Sequence, residues 1–177
     1  LLAATLSSAG SAQDEDAKAE AVSRIDTARP QLARGGYFDA IANLRKALAA
    51  DPASLDAALL LAGAYRDTGE YAKAAETVAT FEQSAAALTL RAEVLLLRGD
   101  ASSASRLFRR ALDRAPDDPL ALEGAVFAAL RLGDTAGATQ RCRDRLARGD
   151  ATGFADLLLG ASLEQAGDDA GAEASYR

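Results

Sequence analysis

The residue types that could do chemistry are few, and their neighbours give them little help. Cys142 is the only cysteine and no histidine occurs. A serine nucleophile needs a base within reach, and without histidine the cluster Ser102, Ser103 and Ser105 has no familiar triad partner. Gly35-Gly36 lacks the Lys-Ser/Thr that would follow in a phosphate-binding loop. Structural zinc and most transition-metal sites draw on His or Cys clusters, so no metal or other cofactor is expected. Carboxylates are plentiful, with 26 Asp and Glu, but no pair stands out for acid–base work. Cys142 reads as a core residue rather than a nucleophile, and the chain as a non-enzyme.

Arginine is the remaining chemical resource. Arg109 and Arg143 are 34 residues apart, as are Arg114 and Arg148, with Arg106, Arg110 and Arg141 nearby. Two readings stand: a surface for an acidic protein, anionic polysaccharide or lipid headgroups, or a solvated face neutralised by Asp113 and Asp144. The net charge of −6 favours the second, and speaks against tight non-specific nucleic-acid binding.

What must position these residues is a set of helices. The chain is 49% hydrophobic but only 5% aromatic, so its apolar content is Ala and Leu, with almost no β-branched alternation. Internal repetition gives the arrangement. Gly recurs at 35, 69, 99, 133 and 167, in steps of 34, 30, 34 and 34. Five residues after each comes an alanine: Ala40, Ala74, Ala104, Ala138 and Ala172. Gly69, Gly99, Gly133 and Gly167 are each followed by an acid: Glu70, Asp100, Asp134 and Asp168. Such a glycine can close one helix in the left-handed conformation, and the acid can cap the next. The alanine lets two antiparallel helices approach closely. Four residues further on, Leu44, Val78, Phe108, Cys142 and Tyr176 are expected to fill the space between hairpins.

This pattern resembles the tetratricopeptide repeat, a 34-residue helix–turn–helix unit, over roughly residues 17–177. Leu61, Ala62, Tyr65, Gly69, Tyr71 and Ala74 carry the resemblance in the second repeat. Ala104, Phe108, Ala111, Leu112 and Pro116 carry it in the third, and Tyr37, Ala40, Leu44, Ala47, Leu48 and Pro52 in the first. The implied fold is all-α: a right-handed superhelical α-solenoid of about five hairpins, the last truncated. Residues 13–53 form an irregular first repeat, followed by repeats at 54–84, 85–118 and 119–152 and a partial one at 153–177. Four departures are expected to matter. Ala58 fills the family's Trp position. Pro30 should kink or break the first helix. The short second repeat, with Phe81 in a small-residue position, predicts a tightened turn near Gln83–Ala85 and a local change in superhelical pitch. Arg145 in another small-residue position predicts a loosely packed helix.

The resemblance implies a scaffold that holds a partner peptide or protein against its first helices. Register places Arg66, Glu93, Leu96, Glu123, Phe127, Leu130, Arg131, Phe154 and Leu157 in that groove. The alternative for Leu96, Leu130 and Leu157 is packing between helices; Phe127 and Phe154 are the favoured anchors. The Lys/Asn/Arg clamp with which some members hold chaperone tails is absent: the matching positions include Ile25, Arg29, Leu60, Gly63 and Thr89. Self-association through Tyr176 is a further expectation. Residues 1–12, LLAATLSSAGSA, read as the end of a secretory signal peptide cleaved after Ala12, or else as a disordered tail. With the signal reading, a preference of 17 Arg over 3 Lys points to a high-GC bacterial genome and a periplasmic or secreted envelope assembly; without it, the cytoplasm. No segment reaches the roughly 18 apolar residues of a membrane span. The competing function is a substrate-selecting arm of a glycosyltransferase- or sulfotransferase-type enzyme whose catalytic domain lies beyond residue 177.

Overall fold

The computed structural model describes residues 2–150 and 152–177, with side chains from residue 13 onward. The candidate leader remnant, residues 1–12, lies outside the described side chains. Among the described residues every regular element is a helix: α1 (Leu2–Ala33), α2 (Tyr37–Ala50), α3 (Leu55–Asp67), α4 (Tyr71–Thr77), α5 (Ala85–Leu97), α6 (Ala101–Arg114), α7 (Pro119–Arg131), α8 (Thr135–Ala147), α9 (Phe154–Ala166) and α10 (Asp169–Tyr176). They fall into two compact units, Leu1–Thr80 and Phe81–Arg177.

The five periodic glycines end first helices as their spacing predicts, all at positive φ between 75° and 85°. A side chain there would be strained, so only glycine closes the turn cheaply. Asp100, Asp134 and Asp168 then accept hydrogen bonds from the backbone N–H of Ser103, Gly137 and Gly171 at 2.9–3.0 Å, capping α6, α8 and α10. The bond from Ser103 N–H holds the Asp100 carboxyl below its ordinary value. Glu70 makes no cap bond; its longer side chain pairs with Lys73 instead, in keeping with the preference for Asp at this position.

In the Leu1–Thr80 unit, α2 packs on α1 and α3, and α4 on α3. Ala40, Leu44, Ala47, Ala74 and Val78 are all buried. Polar ties cross the helices: Asn43 donates to Gln31 at 3.0 Å, and Arg29 pairs with Asp56 at 2.6 Å. Of the two outcomes expected of Pro30, a kink or a break, the break does not occur: α1 runs past it to Ala33. Pro30 lies in the last turn on the solvent side, and the acceptor it leaves unfilled belongs to exposed Asp26, where water can serve. The short second repeat also corrects the sequence reading. The turn is not tightened: residues 78–84 form a seven-residue connection, and the shortening falls on α4, which has 7 residues where α2 and α6 have 14.

In the Phe81–Arg177 unit, α7 lies between α5 and α9 and packs against α6 and α8. Phe108 sits wholly buried among Ala92, Ala104, Ala125 and Ala128. The seat for its ring is Gly124: a Cβ there would lie 2.1 Å from Phe108 Cζ. Cys142 belongs to the next core cluster with Leu122, Val126, Ala138 and Leu158, and burial pushes its thiol up to about 11. Arg145 fills the second small-residue position of α8. It is mostly covered and pairs with Asp117 and, at 3.9 Å, with Asp150. The Asp150 carboxylate accepts from Thr152 Oγ1 at 2.6 Å, Thr152 N at 3.0 Å and Ala155 N at 3.0 Å. Those bonds, the Thr152 hydroxyl first, hold its carboxyl below the ordinary value. A mostly covered arginine thus stands in for the small residue by tying α8 to the start of α9.

Candidate partner-binding surface

Positions 34 apart in the first helices are equivalent, so residues 93, 127 and 161 share one column, 89, 123 and 157 another, and 97, 131 and 165 a third. In this frame three exposed apolar side chains of the Phe81–Arg177 unit form a stepped series. Leu97 is 56% exposed at the end of α5, Phe127 45% on α7, and Leu157 57% on α9. Phe127 lies four residues before Arg131, the equivalent of Leu97; Leu157 lies four before Ala161, the equivalent of Phe127. Four residues is close to one helical turn, so all three project from the same face of their helices. α7 packs against both α5 and α9, making the series one stripe across three neighbouring helices.

The other candidate groove residues divide. Glu123 and Glu93 are half-buried and Arg131 is exposed, so the stripe is edged by both charge signs. Leu130 is corrected: at 9% exposure it belongs to the α7–α9 core, with its carbonyl accepting from Gln165 Nε2 at 3.3 Å. Leu96 likewise packs against the cluster around Phe108. Phe154, in the first turn of α9, is half-buried and packs against the α7–α9 core, so it is not a free anchor. Arg66 belongs to the other unit, on α3, and pairs with Asp67 at 2.9 Å. Leu97 was missed by the sequence reading, as was exposed Leu120. The repeat itself carried the signal, since residue 97 is the equivalent of Arg131 and residue 120 that of Phe154.

Two further features bear on this surface. Thr89, in the column of Glu123 and Leu157, is buried on α5, and its hydroxyl has no hydrogen-bond partner. Tyr176 is 47% exposed, but its ring lies over Gly160, where a Cβ would come within 2.2 Å of it, and its hydroxyl donates to Glu164 at 3.2 Å. Among the described residues, no group of three or more metal-ligating side chains is present and no helix is long and apolar enough to cross a membrane.

Two family models, each described as tetratricopeptide repeat, match residues 31–94 and 85–128, together more than half of the chain. Comparison with curated protein sequences gives no match. Among solved structures, the chain is similar to PilF of Pseudomonas aeruginosa at a TM-score of 0.76 and 22% identity, covering 92% of this chain and 75% of that one. It is similar to MamA at 0.71 and 19%, covering 89% and 88%. A thermophilic repeat protein of Thermus thermophilus matches at 0.69 and 19%, covering 88% of each. Identities this low establish a shared fold and no shared partner.

Proposed function

Because the chain belongs to the tetratricopeptide repeat family, whose members are generally non-catalytic scaffolds for protein–protein interaction, we propose that it binds a partner peptide across the first helices α5, α7 and α9. The observation that carries this reading is the exposed stripe Leu97–Phe127–Leu157. Folding ordinarily leaves large apolar side chains scattered singly, and a row of them on adjacent helices marks a contact surface. Glu123 and Arg131 at its edge would set the register of a bound segment through charge. The partner segment carries two or three large apolar side chains spaced to meet the stripe, with mixed charge between them.

We place this scaffold in a bacterial envelope assembly, periplasmic or secreted. The leader-like residues 1–12 and the arginine-rich composition support that placement. Selection of peptides from a displayed library against the full chain, followed by NMR mapping of the bound peptide, tests the surface. Shifts concentrated on α5, α7 and α9 are expected. Shifts confined to α6, α8 or α10 would refute the assignment. Export of the full-length gene product fused to alkaline phosphatase tests the location, which fails if the phosphatase stays inactive.

A further inference from the structure

The second helices of the Phe81–Arg177 unit carry an unusual charge. α6 and α8 hold seven arginines against two aspartates, a surplus of five positive charges in a chain whose net charge is −6. The sequence offered Asp113 and Asp144 as counter-charges, but neither pairs with an arginine among the described residues. Asp144 accepts from Gln140 at 2.7 Å, and no ion pair involves Asp113. Arg145 is neutralised by Asp117 and Asp150, Arg110 lies 3.7 Å from Glu82, and Arg141 lies 4.0 Å from Asp134. The other four form no ion pair among the described residues. Arg106 reaches the hydroxyls of Ser102 and Ser103, and Arg114 the Arg110 carbonyl and the Gln83 amide oxygen. Arg109 and Arg143 have no hydrogen-bond or ion-pair partner among the described residues.

This charge borders an open groove of about 430 Å³ between α6 and α8. Arg109, Arg141 and Arg148 stand on its rim with Asp113 and Asp144, and Leu112, Leu122 and Pro116 line its apolar part. We propose that this groove takes an acidic segment of a partner protein, its carboxylates on Arg109 and Arg141 and one apolar side chain over Leu112 and Leu122. Guanidinium groups suit carboxylates through paired N–H donors, and the local excess of positive charge draws an acidic chain in. The apolar lining favours a peptide over an anionic polysaccharide, which has no alkyl side chain to seat there. A lipid surface is disfavoured because neither α6 nor α8 presents an exposed large hydrophobic residue to enter it. The site is separate from the first-helix stripe and stands or falls without it.

The test is fluorescence anisotropy of the full chain with a labelled octapeptide of Asp and Glu carrying a central leucine. Arg109→Glu combined with Arg141→Glu should weaken binding about tenfold or more, because each change replaces attraction with repulsion. Arg34→Glu combined with Lys46→Glu, the same charge change made outside the groove, should leave affinity within about twofold, as screening limits the reach of charges that do not touch the peptide. Exchanging the peptide's leucine for serine should weaken binding several-fold, on the order of one buried side chain. Circular dichroism confirms that both double variants fold. Equal losses in the two charge variants, indifference to the leucine, or no binding by the native chain would overturn the proposal. So would binding of heparin or phosphatidylglycerol vesicles in place of the peptide.

Discussion

Replacing Gly124 with alanine tests the packing logic most sharply, because two general effects oppose each other there. Gly124 lies inside α7, where alanine is the better helix former by about 1 kcal/mol. Yet its Cβ would fall 2.1, 2.2 and 2.8 Å from Phe108 Cζ, Cε1 and Cε2. The ring must retreat by more than an ångström, and it is wholly buried among Ala92, Ala104, Ala125 and Ala128. Overpacking of a filled core costs about 1–3 kcal/mol, and a displacement of this size belongs at the upper end. The net expectation is a loss of about 2 kcal/mol after the helix gain is offset. In urea unfolding followed by circular dichroism this moves the midpoint down by roughly 1 M for an m-value of about 2 kcal/mol/M. Gly63→Ala is the internal contrast. Gly63 lies inside α3 with nothing within 4 Å of its Cβ position, so that variant should gain about 0.5–1 kcal/mol. Phe108→Leu added to Gly124→Ala should recover part of the loss, with a coupling of about 1–3 kcal/mol in the double-mutant cycle. A Gly124→Ala protein as stable as the native chain, or strict additivity in that cycle, would show that the Phe108 ring does not depend on the space at Gly124.

Three other outcomes follow from particular side chains. Thr89→Val removes a buried hydroxyl that has no partner and should raise stability by about 1 kcal/mol, measured by thermal unfolding; an unchanged or lower Tm would contradict the burial. The folded-state pKa of Asp150 lies below the ordinary 3.8, so its contribution to stability is complete well above that value and is lost as pH falls through and below it. Asp150→Asn should therefore flatten the acid limb of a stability–pH profile while lowering stability at neutral pH; a profile parallel to the native one argues against the Asp150 network. Cys142, buried and pushed up to about 11, should resist a thiol reagent such as dithionitrobenzoate at neutral pH until urea unfolds the unit. Rapid labelling of the native chain would show the site to be open.

What the sequence revealed and what it hid separate along a physical line. Features built within one hairpin were legible: the left-handed glycines, the buried alanine column and the capping aspartates each depend on residues a few positions apart. Of the features that depend on contacts between hairpins, the large buried residues such as Phe108 and Cys142 were legible, but others were not. For Leu130 and Leu157 the question is one of rotation, since a small turn of the helix decides whether an apolar residue faces the core; Leu130 is buried while Leu157 is exposed. The tie of Arg145 to Asp117 and Asp150 joins residues up to 28 positions apart, and only the folded chain brings them together. Pro30 leaves α1 unbroken because proline costs a helix little where the freed carbonyl faces water. The shortened α4 could not be told from a shortened turn, because spacing alone counts residues without assigning them to helix or connection.

The proposed function has α5, α7 and α9 hold a partner through Leu97, Phe127 and Leu157. Its most direct test is the affinity of a library-selected peptide for the full chain carrying Phe127→Ala and Leu157→Ala together, measured by isothermal titration calorimetry. Both residues are exposed, so circular dichroism should be unchanged. Truncating two anchors should weaken binding by at least about tenfold, that is about 1.4 kcal/mol or more. An affinity equal to that of the native chain would show that the partner does not bind through these residues.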